Sequence, residues 1–180
     1  MNDALLLLTL HWLLAGILAV ALSHKLLAWP RFKAALAAYQ IVPPALVGAA
    51  GWIVAMTEAM ALVLMLIWHP SGATLAAVLL ATYGVAIAVN VVRGRMHIDC
   101  GCGDEPVPVS WALVLRNMCL MALALWAVRL HAAGALTDDA NWLSALVALG
   151  LAMVGLGIYQ AIEQLFANRG RHQRLWQGIG

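Results

Sequence analysis

Two cysteines one residue apart lie in a polar loop of an otherwise strongly apolar chain. They form the run Cys100-Gly101-Cys102, within a segment (93–110) that concentrates charged and turn-forming residues. Gly101 supplies the backbone freedom that a disulfide between such near neighbours requires, and the strain of that bridge favours its dithiol form. We therefore predict that Cys100 and Cys102 are the catalytic pair of a thiol–disulfide exchange reaction, with a structural staple as the plainer alternative.

The same loop offers donors for a soft metal ion. Cys100 and Cys102, with His97 and Asp99 close by in sequence, provide the sulfur and nitrogen atoms that Cu(I), Hg(II) or Zn(II) prefers. A second cysteine pair, or a histidine pair at a defined spacing, is missing. A soft-metal carrier using Cys100, Cys102 and His97 is therefore the alternative function, and a scaffold that only holds other subunits is the third.

The composition is that of a membrane protein. Hydrophobic residues make up 64% of the 180 positions and charged residues 10%, against about 45–50% and about 25% in soluble domains. A net charge of +2 leaves no basic face for a nucleic-acid backbone. The chain also has no Gly-rich phosphate loop, no His-Glu-x-x-His helix and no identifiable Ser-His-Asp set, so hydrolysis is unsupported.

Five apolar segments have about the length needed to cross a ~30 Å hydrocarbon core. They predict an all-α, polytopic membrane bundle of five transmembrane helices that forms a single domain over residues 1–180. The first segment lacks the positively charged start of a signal peptide and is too long for one, so we expect it to be retained. The loop 93–110 joins helices 3 and 4, and Ser110 is placed to cap the fourth. The predicted spans are Ala4 to Ser23, about Ala45 to Trp68, about Ala73 to Val92, Trp111 to about Val128, and Trp142 to about Ile162.

Four residues within these spans could support or take part in the chemistry of the loop. Glu58 is near the middle of the second, where a carboxylate must be protonated, paired or next to water. Arg116 lies about 10 Å inside the fourth span. We expect it to reach towards the loop and pair with an acid there, or to pair with Glu58; a role of both residues in binding a quinone or moving protons is the alternative. The loop acids are Asp99, Asp104 and Glu105. We expect Asp99 and Glu58 to support the cysteine pair.

Asn117 follows Arg116 in the fourth span, and Cys119 lies about 15 Å along that helix from Val109. We expect Cys119 to pack in the core, with a relay thiol for the loop pair as the alternative.

The basic residues predict an orientation. The connection after span one, the cysteine loop and the tail hold three, two and three Lys or Arg residues, against one in the connections on the opposite side. By the positive-inside rule the N-terminus lies outside, and the C-terminus and the cysteine loop lie on the cytoplasmic side.

Several of these features together resemble the MauE family of methylamine-utilisation membrane proteins, within the DoxX-like group. The resemblance covers roughly residues 5 to 165, and its most specific part is the Asp-Cys-Gly-Cys sequence with the Arg-Asn pair downstream. The residues that carry it are Lys25, Phe32, Tyr39, Pro43, Asn90, Arg93, Gly94, Ile98 to Gly103, Ser110, Arg116 and Asn117.

The resemblance implies a bacterial inner-membrane protein with a four-helix DoxX-like core plus one helix. It also implies work beside a thioredoxin-like partner during maturation of a disulfide-rich, periplasmic amine dehydrogenase subunit. Carried over to this chain, Cys100 and Cys102 are the redox pair, and Arg116 and Asn117 support them. The family usually has Phe-Gly after the second cysteine, whereas this chain has Gly103-Asp104, which leaves the substrate open.

A periplasmic substrate conflicts with a loop on the cytoplasmic side. Three resolutions stay open: the loop folds back into the bundle, electrons cross the membrane through groups such as Cys119 or a quinone, or the charge count misleads. A quinone is an electron partner by its chemistry alone, because the sequence shows no quinone motif. The sequence does not determine the oligomeric state.

Overall fold

The computed structural model describes residues 3–101, 107–135 and 142–177, with side chains described through residue 168. These residues form an all-α bundle whose only β feature is one isolated bridge, so the predicted fold class is confirmed. The helices are α1 (Asp3–Leu27), α2 (Trp29–Ala38), α3 (Val47–Leu66, after a 3-10 turn at Pro44–Leu46), α4 (Ser71–Val92), α5 (Trp111–Ala132) and α6 (Trp142–Gln177).

Five of these helices are long and apolar enough to cross a membrane, as the sequence predicts. They are α1, the combined segment Pro44–Leu66, α4, α5 and the Trp142–Asn168 part of α6. The predicted boundaries agree within a few residues, except that α1 runs on to Leu27 and α6 continues well past the predicted end. Ser110 occupies the N-cap position of α5, but its hydroxyl makes no capping hydrogen bond.

Helix α2 was not predicted, because the stretch between the first two spans was interpreted as a basic connection. It has a proline in its first turn, where the missing N–H costs nothing. It buries Phe32 and Ala35, and Trp29 packs against Trp52 of α3 with ring centroids 4.6 Å apart. This short helix places Arg31 and Tyr39 beside the cysteine loop.

Small residues allow the helices to approach each other closely, as is common in membranes. A Cβ added at Gly84 of α4 would lie 2.6 Å from Met118 of α5, and one at Gly155 of α6 would lie 3.2 Å from Leu13 of α1. Gly155 therefore permits close contact between α6 and α1. Gly150 and Gly157 have open space where a side chain would be.

The chain direction brings several helix ends together. The C-terminal ends of α1 and α4 and the N-terminal ends of α3 and α5 lie at the same end of the bundle, together with α2 and the cysteine loop. We call this the loop end. It contains a buried apolar cluster with members from the end of α2, from α4, α5 and α6, and from both sides of the loop: Tyr39, Ile87, Val91, Ile98, Val107, Val109, Leu113 and Ala167.

Candidate functional site

The base of the cysteine loop is closed by backbone hydrogen bonds. Asp99 and Pro108 form an antiparallel bridge. The Cys100 N–H donates to the Val107 carbonyl at 2.8 Å, and the Val109 N–H donates to the Ile98 carbonyl at 3.0 Å. Cys100 therefore lies at the point where the two sides of the loop meet. Cys102, the second member of the predicted pair, lies outside the described residues.

The Asp99 carboxylate ties this base together. Its Oδ1 accepts hydrogen bonds from the Gly101 N–H at 3.1 Å and the Val107 N–H at 3.2 Å. Its Oδ2 accepts from Nη2 and Nε of Arg31, at 2.9 and 3.1 Å. Charge-assisted bonds of this kind are stronger than neutral ones. Asp99 thus joins both sides of the loop to α2, which gives the predicted supporting residue a specific structural role.

Cys100 is half-buried against the apolar cluster of the loop end. The Tyr39 hydroxyl, at the end of α2, donates to the Cys100 carbonyl at 3.3 Å. The backbone around the sulfur is therefore held on both sides, by Val107 and by Tyr39. This fixes the position from which the thiol can react.

Gly101 must be a glycine for two separate reasons. Its φ of +73° lies in the left-handed region, which side chains rarely adopt, and a Cβ there would lie 2.9 Å from the Ala35 methyl group. The prediction that Gly101 provides backbone freedom in the loop is confirmed. The close approach to α2 is an additional reason, which depends on the unpredicted helix.

Glu58 is paired with a lysine inside the bundle. Lys25 Nζ donates to Glu58 Oε1 at 2.7 Å, and the Tyr83 hydroxyl donates to the same oxygen at 2.6 Å. The Lys25 and Glu58 side chains are only 2% and 0% exposed. The Lys25 ammonium also lies 5.3 Å from the Tyr83 ring centroid. Of the three conditions under which a buried carboxylate is expected, pairing is the one that holds.

A cavity of about 190 Å³ lies between α2, α3, α4 and the loop. Cys100 and Gly101 form part of its wall, and Lys25 and Tyr83 form another part. The remaining lining is almost entirely apolar and includes Phe32, Ala35, Leu36, Tyr39, Ile41, Val42, Ala50, Val54, Thr82, Ala86 and Ile87. The cavity thus places Cys100 and Lys25, the cation of the buried ion pair, on the same space.

Among the described residues Arg116 pairs with Glu163 and with neither Asp99 nor Glu58, so these two predicted pairings are wrong. Its guanidinium donates to Glu163 of α6 and lies 5.9 Å from the Tyr159 ring centroid. The carboxylates of Asp99 and Glu58 are instead bound by Arg31 and Lys25. Asp104 and Glu105 lie outside the described residues. Arg116 therefore joins α5 to α6 within the bundle.

Asn117 and Cys119 point to different sides of α5. Asn117 is buried, donates to the Leu113 carbonyl of its own helix at 2.8 Å, and lies beside Gly84 at the contact with α4. Cys119 is exposed on the outer surface, so the expectation of core packing is wrong. Two residues turn a helix by about 200°, which puts Cys119 on the face opposite to Asn117. Its relay role stays a prediction.

The metal alternative also stays a prediction. The part of the chain that the structure describes contains no group of three or more His, Cys, Asp or Glu side chains able to hold a metal ion. The proposed set includes Cys102, which lies outside that part. His97 is exposed and lies beside a shallow surface depression with Asp99 and Arg95.

Sequence reasoning missed the residues that bind the two acids, Lys25 and Arg31, and the tyrosines Tyr39 and Tyr83. Both cations were counted among the basic residues of the first connection, and Lys25 and Tyr39 also carry the family resemblance, but none of these residues was given a role at the site. One signal for Lys25 was available: the apolar residues Leu26 and Leu27 follow it directly, so it belongs to the first helix, where a cation needs a partner.

Comparison with known proteins gives one family. Its sequence profile, described as "Methylamine utilisation protein MauE", matches residues 3–130. A MauE protein of Methylophilus methylotrophus is 33% identical over 171 residues, covering 90% of this chain and 86% of the relative. MauE proteins of Paracoccus denitrificans and Paracoccus versutus are 56% and 53% identical over short segments, which span only 30% and 28% of those relatives.

No solved structure matches the chain significantly. The family resemblance seen in the cysteine loop and the Arg-Asn pair is confirmed by a profile that covers most of the chain and by a relative that matches over nearly its full length. The chain therefore belongs to the MauE family of methylamine utilisation proteins.

Proposed function

We propose that this protein is a membrane thiol–disulfide oxidoreductase whose Cys100 and Cys102 exchange disulfides with a thioredoxin-like partner. Its biological role is then the maturation of a secreted, disulfide-containing protein such as an amine dehydrogenase subunit. The setting is the bacterial inner membrane, with the N-terminus outside. Membership of a methylamine-utilisation family supports this setting.

One observation carries the proposal: Cys100 is fixed at the base of a closed loop, beside a cavity, while Asp99, Arg31 and Tyr39 hold its backbone. A merely structural cysteine needs no such arrangement. A redox pair benefits from it, because the exchange reaction requires the sulfur at a reproducible position and a strained bridge is readily reduced.

The exchange runs in two balanced steps. A thiolate of the partner attacks one sulfur of the Cys100–Cys102 disulfide, which breaks that bond and forms a mixed disulfide while the other cysteine leaves as a thiolate. The partner's second thiolate then attacks the mixed disulfide. The partner leaves oxidised, and the two cysteines of this chain are left reduced.

Trapping the mixed disulfide tests the proposal. Cys100→Ser and Cys102→Ser variants are expressed separately in cells that contain the methylamine-utilisation proteins, and adducts are analysed on non-reducing gels. One of the two variants should accumulate a disulfide-linked partner, because the resolving thiol is missing. Cys119→Ser is the matched control and should accumulate none. Absence of an adduct in both loop variants, with dehydrogenase maturation intact, contradicts the proposal.

The same cells report the side of the membrane on which the pair reacts. A membrane-impermeant maleimide added to intact cells should leave Cys100 unlabelled, and it should label Cys100 in inverted vesicles, if the loop end is cytoplasmic as the charge count predicts. Labelling in intact cells instead would place the pair where it can meet a secreted substrate directly. That result would contradict the orientation but not the exchange chemistry.

A further inference from the structure

We propose that the cavity between α2, α3, α4 and the cysteine loop binds the ring of a quinone, which accepts the electrons of the Cys100–Cys102 pair. The inference rests on the proposed function and adds the acceptor that regenerates the disulfide. The lining of the cavity, its size and its position support quinone binding.

The lining has two chemically different parts. Most of the wall is apolar, including Phe32, Ile87 and Val54, and suits a flat hydrophobic ring. Lys25 and Tyr83 contribute a charged group and a hydroxyl group to the wall, and both donate hydrogen bonds to Glu58. A quinone has this same combination, an apolar ring that carries two polar oxygens.

The buried ion pair also needs an explanation. Removing a lysine and a glutamate from water costs free energy, and the attraction between the two charges often does not recover it. Stability alone therefore does not explain the pair. Glu58 Oε2 is fully buried and has no hydrogen-bond partner among the described residues. Groups of this kind inside a membrane mark proton or substrate paths. Here they adjoin the cavity that contains the reactive cysteine.

The size and position of the cavity select the ligand class. Its volume of about 190 Å³ is below the ~300–1,000 Å³ of pockets for drug-sized molecules, so it accommodates a single substituted ring and leaves a long tail outside. Thr82 of α4 and Ile41 both line the cavity and are exposed on the outer surface. Because α4 spans the membrane, an opening at Thr82 faces the lipid, where quinones dissolve.

The reaction balances. The two thiols lose two protons and two electrons as the Cys100–Cys102 bond forms, and the quinone takes up two protons and two electrons to become a quinol. The Lys25 ammonium has more hydrogens than its bond to Glu58 uses, so it can donate to a quinone oxygen from the cavity wall, and the protons released by the two thiols replace those that the quinone takes up. The oxidised pair can then accept electrons from the next partner dithiol.

Binding is tested with the short-chain benzoquinone decylubiquinone. The full-length protein in lipid nanodiscs is titrated, and binding is followed by quenching of tryptophan fluorescence. Ala50→Phe fills the cavity, whereas Ala49→Phe adds the same ring at the neighbouring, exposed position outside it. We expect Ala50→Phe to weaken binding by at least about tenfold, or ~1.4 kcal/mol, with Ala49→Phe unchanged from the native chain.

Thr82→Phe provides a second block of the same cavity, from an exposed position that tolerates a large side chain. It keeps the test valid if Ala50→Phe does not fold, and it should weaken binding as well. Equal quenching in the native chain and in the folded cavity variants overturns the inference.

Electron transfer is measured separately. The protein reduced with dithiothreitol and freed of reductant should convert decylubiquinone to the quinol, whereas Cys100→Ser should bind the quinone and leave it oxidised. If a loop cysteine variant traps the adduct but the native chain reduces no quinone, the quinone is overturned as acceptor and the exchange function stands. If neither loop cysteine variant traps an adduct, the exchange function itself is contradicted. The binding titration still tests whether the cavity binds the quinone.

Discussion

Replacing Lys25 by methionine should destabilise the bundle strongly. Methionine keeps most of the volume of the side chain but removes the ammonium group that lies 2.7 Å from Glu58 Oε1. The Glu58 carboxylate, which is 0% exposed, keeps the Tyr83 hydroxyl as its partner and loses the one cation that pairs with it among the described residues. Breaking a buried pair from one side costs about 3–5 kcal/mol. We expect about 3 kcal/mol, because the hydrogen bond from Tyr83 remains and the carboxylate can take up a proton.

A double variant distinguishes two free energies: the penalty for leaving Glu58 without its cation, and the net contribution of the ion pair to stability. Lys25→Met combined with Glu58→Gln leaves no charge in the bundle at this point, and the Tyr83 hydroxyl can still donate to the amide oxygen. Replacing both partners of a buried pair is often nearly neutral. We therefore expect the double variant to lie within about 1 kcal/mol of the native chain. The second substitution should restore most of what the first removes.

Thermal unfolding in detergent, followed by intrinsic tryptophan fluorescence, measures both effects. For a domain of this size a change of about 1 kcal/mol shifts the midpoint by about 2–4 °C, so Lys25→Met should lower it by about 6–12 °C. Lys33→Met is the control, because Lys33 is partly exposed on α2 and should shift stability by less than about 0.5 kcal/mol. A Lys25→Met midpoint equal to that of the control would refute the reasoning, as would a double variant less stable than Lys25→Met.

Two further predictions concern the loop. Arg31→Gln removes the ion pair that joins Asp99 to α2, so Cys100 should react with a maleimide several-fold faster than in the native chain or in Lys33→Gln; an unchanged rate would show that the ion pair does not hold the loop. Gly101→Ala and Gly94→Ala both force alanine into φ near +73°, but only the first meets another group within 4 Å. Unfolding midpoints should therefore fall further for Gly101→Ala, and equal losses would contradict the packing of the loop against α2.

The transmembrane helices and the location of the loop could be predicted from sequence, since both follow from local properties. An apolar run of about 20 residues must satisfy its own backbone in lipid, and a helix does so. The boundaries of α4 and the start of α5 agree with the prediction closely for this reason. The requirement for glycine at position 101 could likewise be inferred from the spacing of the two cysteines.

The partners of the charged residues could not be predicted. Lys25 and Glu58 are 33 residues apart, Arg31 and Asp99 are 68 apart, and Arg116 and Glu163 are 47 apart. Hydropathy shows that a helix crosses the membrane. It does not show how the helix is rotated about its own axis or which helices lie beside it. The pairing of Arg116 with Glu163 was therefore missed, and its predicted pairing with Asp99 or Glu58 was wrong.

The sequence alone determined that this is a multi-pass helical protein with a cysteine loop between its third and fourth spans. It did so because hydropathy and turn residues act locally. Only the tertiary structure decided that α2 folds as a helix under the loop, that Arg31 holds Asp99, and that a cavity joins Cys100 to the Lys25–Glu58 pair. Those features depend on which helix faces pack together, and packing is a property of the whole chain.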